Sequence, residues 1–188
     1  MKKKDLKEIL AYEQNVYRTY CYQTFFRRLM GCIKHEYVYQ TMKWQKYARI
    51  TDYYKWKIDH SHNPWYQLMY MLYIRKRNVL AEKIGIEAST ANIGKGLLVY
   101  HSQGTVINGN SIIGENCRLH GNICIGNGGE ADKNTPIIGS NVIIGTGAKI
   151  LGGISIADNV KIAAGSVVVN SFAEPGITIA GVPAKRVK

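Results

Sequence analysis

Two histidines, His101 and His120, are the side chains in this 188-residue sequence best suited to moving protons. An imidazole titrates near pH ~6.5, so around neutrality it can take a proton from a hydroxyl and return it to a leaving group. A positioned base of this kind accelerates group transfer by roughly 10²–10⁴. Its second nitrogen needs an acceptor to hold the tautomer. His60 and His62 lie two apart in the polar stretch 59–64 without further ligands nearby, which reads as an exposed loop and not as a metal site. Cys21, Cys32, Cys117 and Cys124 form no C-x-x-C pair and are expected to be reduced, mostly buried thiols.

Both histidines belong to a region with an unusual period. Ile138, Ile144, Ile150, Ile156, Ile162 and Val168 recur every sixth residue, and most are followed by a small residue: Gly139, Gly145, Ala157, Ala163. This fits neither a helix nor simple strand alternation. It is the mark of a hexapeptide solenoid, with six residues to each face of a triangular coil. A second inward row stands two residues before each opener: Val142, Ala148, Ile154, Val160 and Ser166. Asn141 and Asn159 supply the left-handed backbone that tight corners need. Upstream the openers are Ile93, Val99, Ile107, Ile113, Leu119 and Ile125. The period fails twice, with eight residues from Val99 to Ile107 and thirteen from Ile125 to Ile138. His101 sits in the first failure, and the polar stretch 127–136 is the second. Residues 93–170 amount to a little over four coils of about eighteen residues.

The remainder of the chain has a different composition. Residues 1–87 hold 17 Lys/Arg against 8 Asp/Glu and only 2 of the 19 glycines. Residues 88–188 hold 8 against 5. Two regimes imply two parts, an α-helical region 1–87 and a β-helical domain 88–188, with the boundary near 86–91. Helical spacing predicts one helix over 5–30, a second over 34–59, and a third from Pro64 to about Lys83, ending before Gly85. The basic, tyrosine-rich helices are read as a bundle with a solvated basic face, or as a surface for an anionic partner such as a membrane or a polyanionic glycan. No nucleic-acid motif accompanies the charge. No run approaches a membrane span, and the start of the chain lacks a signal-peptide core, so a cytoplasmic protein is expected, at most at the inner membrane face.

The segment 93–188 resembles the hexapeptide-repeat acyltransferases, and within them the serine acetyltransferase-like branch. Three stretches carry the resemblance. Residues 96–108, with His101, resemble that family's catalytic-histidine segment. Residues 144–152 resemble its coenzyme A groove, and 180–185 its C-terminal signature. The resemblance implies a left-handed parallel β-helix, acetyl-CoA as co-substrate without a metal, and a homotrimer with sites between subunits. It implies His101 as general base, Glu87 as its partner, and a coenzyme groove at Ala148, Lys149, Ala164, Gly165, Lys185 and Arg186, with Lys161 a further phosphate candidate. Tyr100, His120, Asn134 and Thr135 fall at the acceptor.

The sequence departs from the serine enzymes at that acceptor. Asn134-Thr135 stand where those enzymes carry an Arg-His pair, and Tyr100 replaces their acidic residue before the catalytic histidine. A substrate carboxylate normally wants a guanidinium. A neutral sugar, free or lipid-linked, is therefore the expected acceptor, as in capsular and exopolysaccharide O-acetyltransferases. Serine O-acetylation is the alternative, and a non-catalytic glycan-binding solenoid is a third reading. A zinc solenoid would need three histidine ligands, and 88–188 offers two.

Overall fold

The change in residue period along the chain is also a change in fold. The computed structural model describes residues 3–90, 92–129 and 134–188. It divides into two compact units, Met1–Ile84 and Gly85–Lys188. Ala91, residues 130–133 of the polar stretch and the first two residues of the basic start lie outside the described residues.

The first unit holds four helices: α1 (Lys3–Tyr20), α2 (Phe25–Ile33), α3 (Tyr37–Asp59) and α4 (Pro64–Ile84). The single helix expected over 5–30 is two. The Tyr22 amide turns back to the Tyr17 carbonyl, and Thr24 caps a new helix by accepting the Arg27 amide on its hydroxyl. Nothing between Tyr20 and Phe25 is a conventional helix breaker, so the cap alone carried that signal. Gly31 lies inside α2 and does not end it. A Cβ there would sit 2.8 Å from the Tyr22 ring, so the glycine serves close packing.

α1 and α3 join through polar groups spaced four apart on each helix, the spacing that puts side chains on one face. The Tyr17 hydroxyl donates to Gln45 Oε1 at 3.0 Å. Arg49 donates from Nε and Nη2 to Glu13 Oε1 at 2.9 and 2.7 Å. Both members of that ion pair are buried, and each is tolerated there because the other neutralises it. α3 and α4 pack through tyrosines, with Tyr54 stacked on Tyr73 at 5.9 Å. Among the described residues no helix is long and apolar enough to cross a membrane.

In the second unit each sheet gathers one strand from every turn of the chain. Face A contains β1 (Ile86–Glu87), β3 (Thr105–Ile107), β6 (Cys124–Gly126), β9 (Lys149–Leu151) and β12 (Val167–Val168). Face B contains β4 (Ile112–Ile113), β7 (Ile137–Ile138) and β10 (Ser155–Ile156), extended by single bridges at Ile93 and Phe172. Face C contains β2 (Leu98–Val99), β5 (Arg118–Leu119), β8 (Ile143–Ile144), β11 (Lys161–Ile162) and β13 (Thr178–Gly181). All pairings among these are parallel. A last strand, β14 (Ala184–Arg186), folds back antiparallel on β13. β1 pairs with β3, which moves the start of this unit back from residue 88 to Gly85. Residues 93–170 supply four rungs to each face, and β1, Phe172 and β13, outside that range, bring each face to five.

Every opener of the six-residue period points inward and is buried. So is the second row, Val142, Ala148, Ile154, Val160 and Ser166. The small residue after an opener has a packing cause, because the next coil lies directly on it. A Cβ at Gly145 would stand 2.5 Å from the Ala164 nitrogen, and one at Gly114 2.6 Å from the Gly139 carbonyl carbon. The corner asparagines take left-handed backbone, with φ of 59° at Asn141 and 62° at Asn159.

Candidate active site

The register of face C decides which side chains meet at the first break in the period. Val99 lies opposite Leu119, and Leu119 opposite Ile144. The residues that follow them, Tyr100, His120 and Gly145, must then stack in a column at the strand spacing of about 4.8 Å. Tyr100 and His120 do so ring on ring, with centroids 4.7 Å apart and planes within 22°. One residue further on, a second column runs His101, Gly121, Thr146, Ala164.

The two extra residues between Val99 and Ile107 widen this corner in the first coil. Gly104 turns the chain with a φ of 67°. The Thr105 amide donates to the Ser102 carbonyl and the Asn122 amide to the Gln103 carbonyl, both at 3.0 Å. Ser102 is buried, and His101 beside it is exposed. Directly below His101 is Gly121, with a φ of 98°. A Cβ there would lie 2.3 Å from the His101 carbonyl oxygen and 2.8 Å from the His101 Cβ. Only glycine lets the lower coil come this close.

His120 is held from below as well. Its amide donates to the Ile144 carbonyl at 3.1 Å, and its carbonyl accepts the Thr146 hydroxyl at 2.9 Å. Burial, and then the charges of His101 and Arg118, hold its imidazole below the ordinary 6.5. Near neutrality it is therefore an uncharged hydrogen-bonding ring. A proton NMR titration should place the His120 midpoint below 6.5; a midpoint at or above that value would contradict the burial described. On acidification the unfolded chain takes this proton first, so stability is lost as pH falls from about 6.5 through the folded pKa. His120→Asn should remove that part of the slope.

The remaining sequence-derived candidates divide by corner. Lys149 reaches the His101 corner, donating from Nζ to the Asn122 carbonyl at 3.0 Å. Ala164 and Gly165 lie exposed at the same corner lower down, where the Gly165 amide donates to the Thr146 carbonyl. Ala148 does not belong with them. Its side chain is in the core, its carbonyl accepts the Cys124 amide, and its own amide donates to the Gly145 carbonyl. It therefore offers nothing to a ligand outside the coil, because it stands in the inward row. Glu87 is exposed on β1, and no hydrogen bond joins it to His101. Lys185 and Arg186 are exposed on β14, where Arg186 pairs with Glu174 at 2.6 Å.

Asn134 and Thr135 lie in the insertion between faces A and B, a different corner from that of His101. Asn134 packs against Gly153, where a Cβ would be 3.0 Å from its own. One chain by itself does not bring this pair to the two histidines. Gly121 and Thr146 escaped the sequence reading, although each stands two residues after a face C opener, which is the signal that finds them. Among the described residues no group of three or more His, Cys, Asp or Glu could hold a metal ion.

Residues 135–170 match the bacterial transferase hexapeptide family (six repeats). A serine acetyltransferase of Staphylococcus xylosus is 40% identical over 138 residues, covering 68% of this chain and 63% of that protein. Soybean serine acetyltransferase, solved as the apoenzyme, superposes with a TM-score of 0.75 and 26% identity, over 97% of this chain and 69% of that one. The Neisseria gonorrhoeae serine acetyltransferase in complex with serine gives 0.71 and 26%, over 99% and 70%. The chain spans between 39% and 64% of the length of the curated relatives it matches.

Proposed function

We propose that this hexapeptide-repeat chain is an acetyl-CoA-dependent O-acetyltransferase, wound as a left-handed β-helix, with His101 as general base. The observation that carries the reading is the widened corner, which turns His101 outward above Gly121 and beside the uncharged His120. In the proposed step the imidazole of His101 takes the acceptor's hydroxyl proton as its oxygen attacks the thioester carbonyl. The C–S bond then breaks, and the imidazolium returns the proton to the departing thiolate. Glu87 would hold the second imidazole nitrogen only after its side chain moves in from β1. The pantetheine arm is assigned to the exposed small residues Ala164 and Gly165. Lys149, Lys161 and Lys185 supply charge for the phosphates, and Arg186 joins them if it leaves Glu174.

The names of the relatives support serine as acceptor, and this is the first reading; they give no support to the capsular likeness expected from the sequence. Asn134-Thr135 and Tyr100 favour a second. None of the three can pair with a substrate carboxylate or ammonium as a charged residue would, which suits a sugar hydroxyl, on a free or lipid-linked glycan at an anionic membrane face. Incubation with acetyl-CoA and L-serine separates the two. Serine turnover at ordinary enzyme rates supports the first reading. Acetylation of nucleotide- or lipid-linked sugars without serine turnover supports the second. No acetyl transfer to either, with no affinity for coenzyme A, would favour a non-catalytic glycan-binding solenoid.

A homotrimer is part of the same proposal. Asn134-Thr135 and His101 occupy different corners, so the pair would meet His101 only across a contact between copies. A monomer by light scattering would remove them from the acceptor site.

A further inference from the structure

The helical unit has a groove of its own, about 700 Å³ in volume, between the first half of α3 and the second half of α4. That volume is within the range of small-molecule sites. Its α4 wall mixes apolar side chains, Leu72, Val79, Leu80 and Ile84, with Arg75, Lys76 and Lys83 on the same helical face. From Leu72 to Ile84 the wall runs about 18 Å at 1.5 Å per residue. Leu72 and Val79 are 43% and 46% exposed, so this wall is not filled from within the unit. On the α3 side, Tyr37 and Tyr47 line the groove, and the Tyr37 hydroxyl bonds to the Ile84 carbonyl, tying the two helices together at that end.

The charged residues on the groove are all of one sign. Lys43, Arg75, Lys76 and Lys83 line it, and no Asp or Glu does. None of the four is in an ion pair among the described residues. Lys43 lies over the Tyr47 ring at 6.0 Å and Lys76 over the Tyr73 ring at 5.2 Å, so both ammonium groups rest on aromatic faces beside the groove. A groove that sets exposed apolar side chains beside cations and no carboxylate is complementary to one kind of molecule, an alkyl chain with an anionic head. A second copy of the same face would set four cations against four and be repelled. Arg75 adds a planar donor fork that fits phosphate oxygens.

We propose that the α3–α4 groove binds a single-chain lipid phosphate, with the chain along Leu72–Ile84 and the phosphate among Lys43, Arg75, Lys76 and Lys83. This site is separate from the acetyl-transfer reading and stands whether or not that reading holds. The test is calorimetric titration of the full chain with decyl phosphate below its micelle-forming concentration. Saturable one-to-one binding is expected, weakened by added salt. Decanol and inorganic phosphate should each bind at least about tenfold more weakly, since each has only half of the recognised chemistry. The double variant Arg75→Glu/Lys76→Glu changes two exposed side chains, so its melting temperature should match that of the parent while its affinity falls about tenfold or more. Val79→Glu should abolish binding by placing a carboxylate in the chain's path. The proposal fails if decanol binds as well as decyl phosphate or if the charge-reversed variant binds normally. It fails equally if Val79→Glu alters the oligomeric state by light scattering, which would make the groove a contact between copies. Capture by anionic vesicles without binding of monomeric decyl phosphate would also overturn it, in favour of a membrane-facing surface.

Discussion

His101→Ala should lower acetyl transfer at least about a hundredfold while leaving the unfolding curve unchanged. The two halves of this expectation have separate grounds. His101 is exposed at a corner, outside the buried core and with no packing burden of its own, so truncating it opens no cavity. A base that accepts the proton in the transition state has no substitute in alanine, and water in its place leaves the hydroxyl a poor nucleophile at neutral pH. The measurement is steady-state turnover of acetyl-CoA with the acceptor found in the assay above, beside a thermal melt followed by circular dichroism. Turnover within a few-fold of the parent would remove His101 from the chemistry. A fall in melting temperature together with activity would instead make it structural. His120→Asn is the informative companion. It removes the ring stacked on Tyr100 and keeps a hydrogen-bonding side chain, so a change confined to acceptor KM would place His120 at the acceptor.

Gly121→Ala is the second large effect, and it acts without touching the reacting groups. The added methyl would stand 2.3 Å from the His101 carbonyl oxygen, which is backbone and cannot rotate away. The glycine also has a φ of 98°, a region that costs an L-residue about 1–3 kcal/mol. The coil above must lift or the corner must change its turn, and either one moves His101. A displacement of about 1 Å in a positioned group can cost on the order of a hundredfold in rate. We expect a loss of stability of about 1–3 kcal/mol by urea unfolding, together with a turnover loss well beyond what that instability explains. Gly176→Ala is the control. It also has positive φ, 78°, but nothing lies within 4 Å of its Cβ position. It should lose stability to a similar degree and keep its activity. Equal activity losses in the two variants would show that backbone strain, and not the contact with His101, is responsible.

Much of the coiled unit was legible because its rule is local. An opener every six residues, a small residue after it and an asparagine at the corner are properties of one stretch of chain, and all reappear as buried openers, close coil contacts and left-handed corners. The two places where the period failed were legible for the same reason. The break between α1 and α2 was not, because it depends on a single cap, Thr24, and on Tyr22 packing against Gly31. Apolar periodicity does not place a carboxylate on the inner face of α1 either. Glu13 is inside because Arg49, on another helix, is there to meet it.

By itself, then, the sequence determined the three-faced coil and the helical character of residues before Gly85, which follow from spacing along a few consecutive residues, and the candidacy of His101, which rests on its place at the first break in the period and on the resemblance carried by 96–108. Only the tertiary structure decided which side chains share a corner. It stacked Tyr100 on His120 through the register of β2 and β5 and set Gly121 beneath His101. It left Glu87 unbonded to that ring, turned Ala148 into the core and kept Asn134-Thr135 at another corner. It also lined up four cations along a groove from two helices that no sequence period connects. The physical reason is common to all of these. A coil or a helix pair brings together residues that are far apart in the chain, and the register that does so is set by the length of every corner between them.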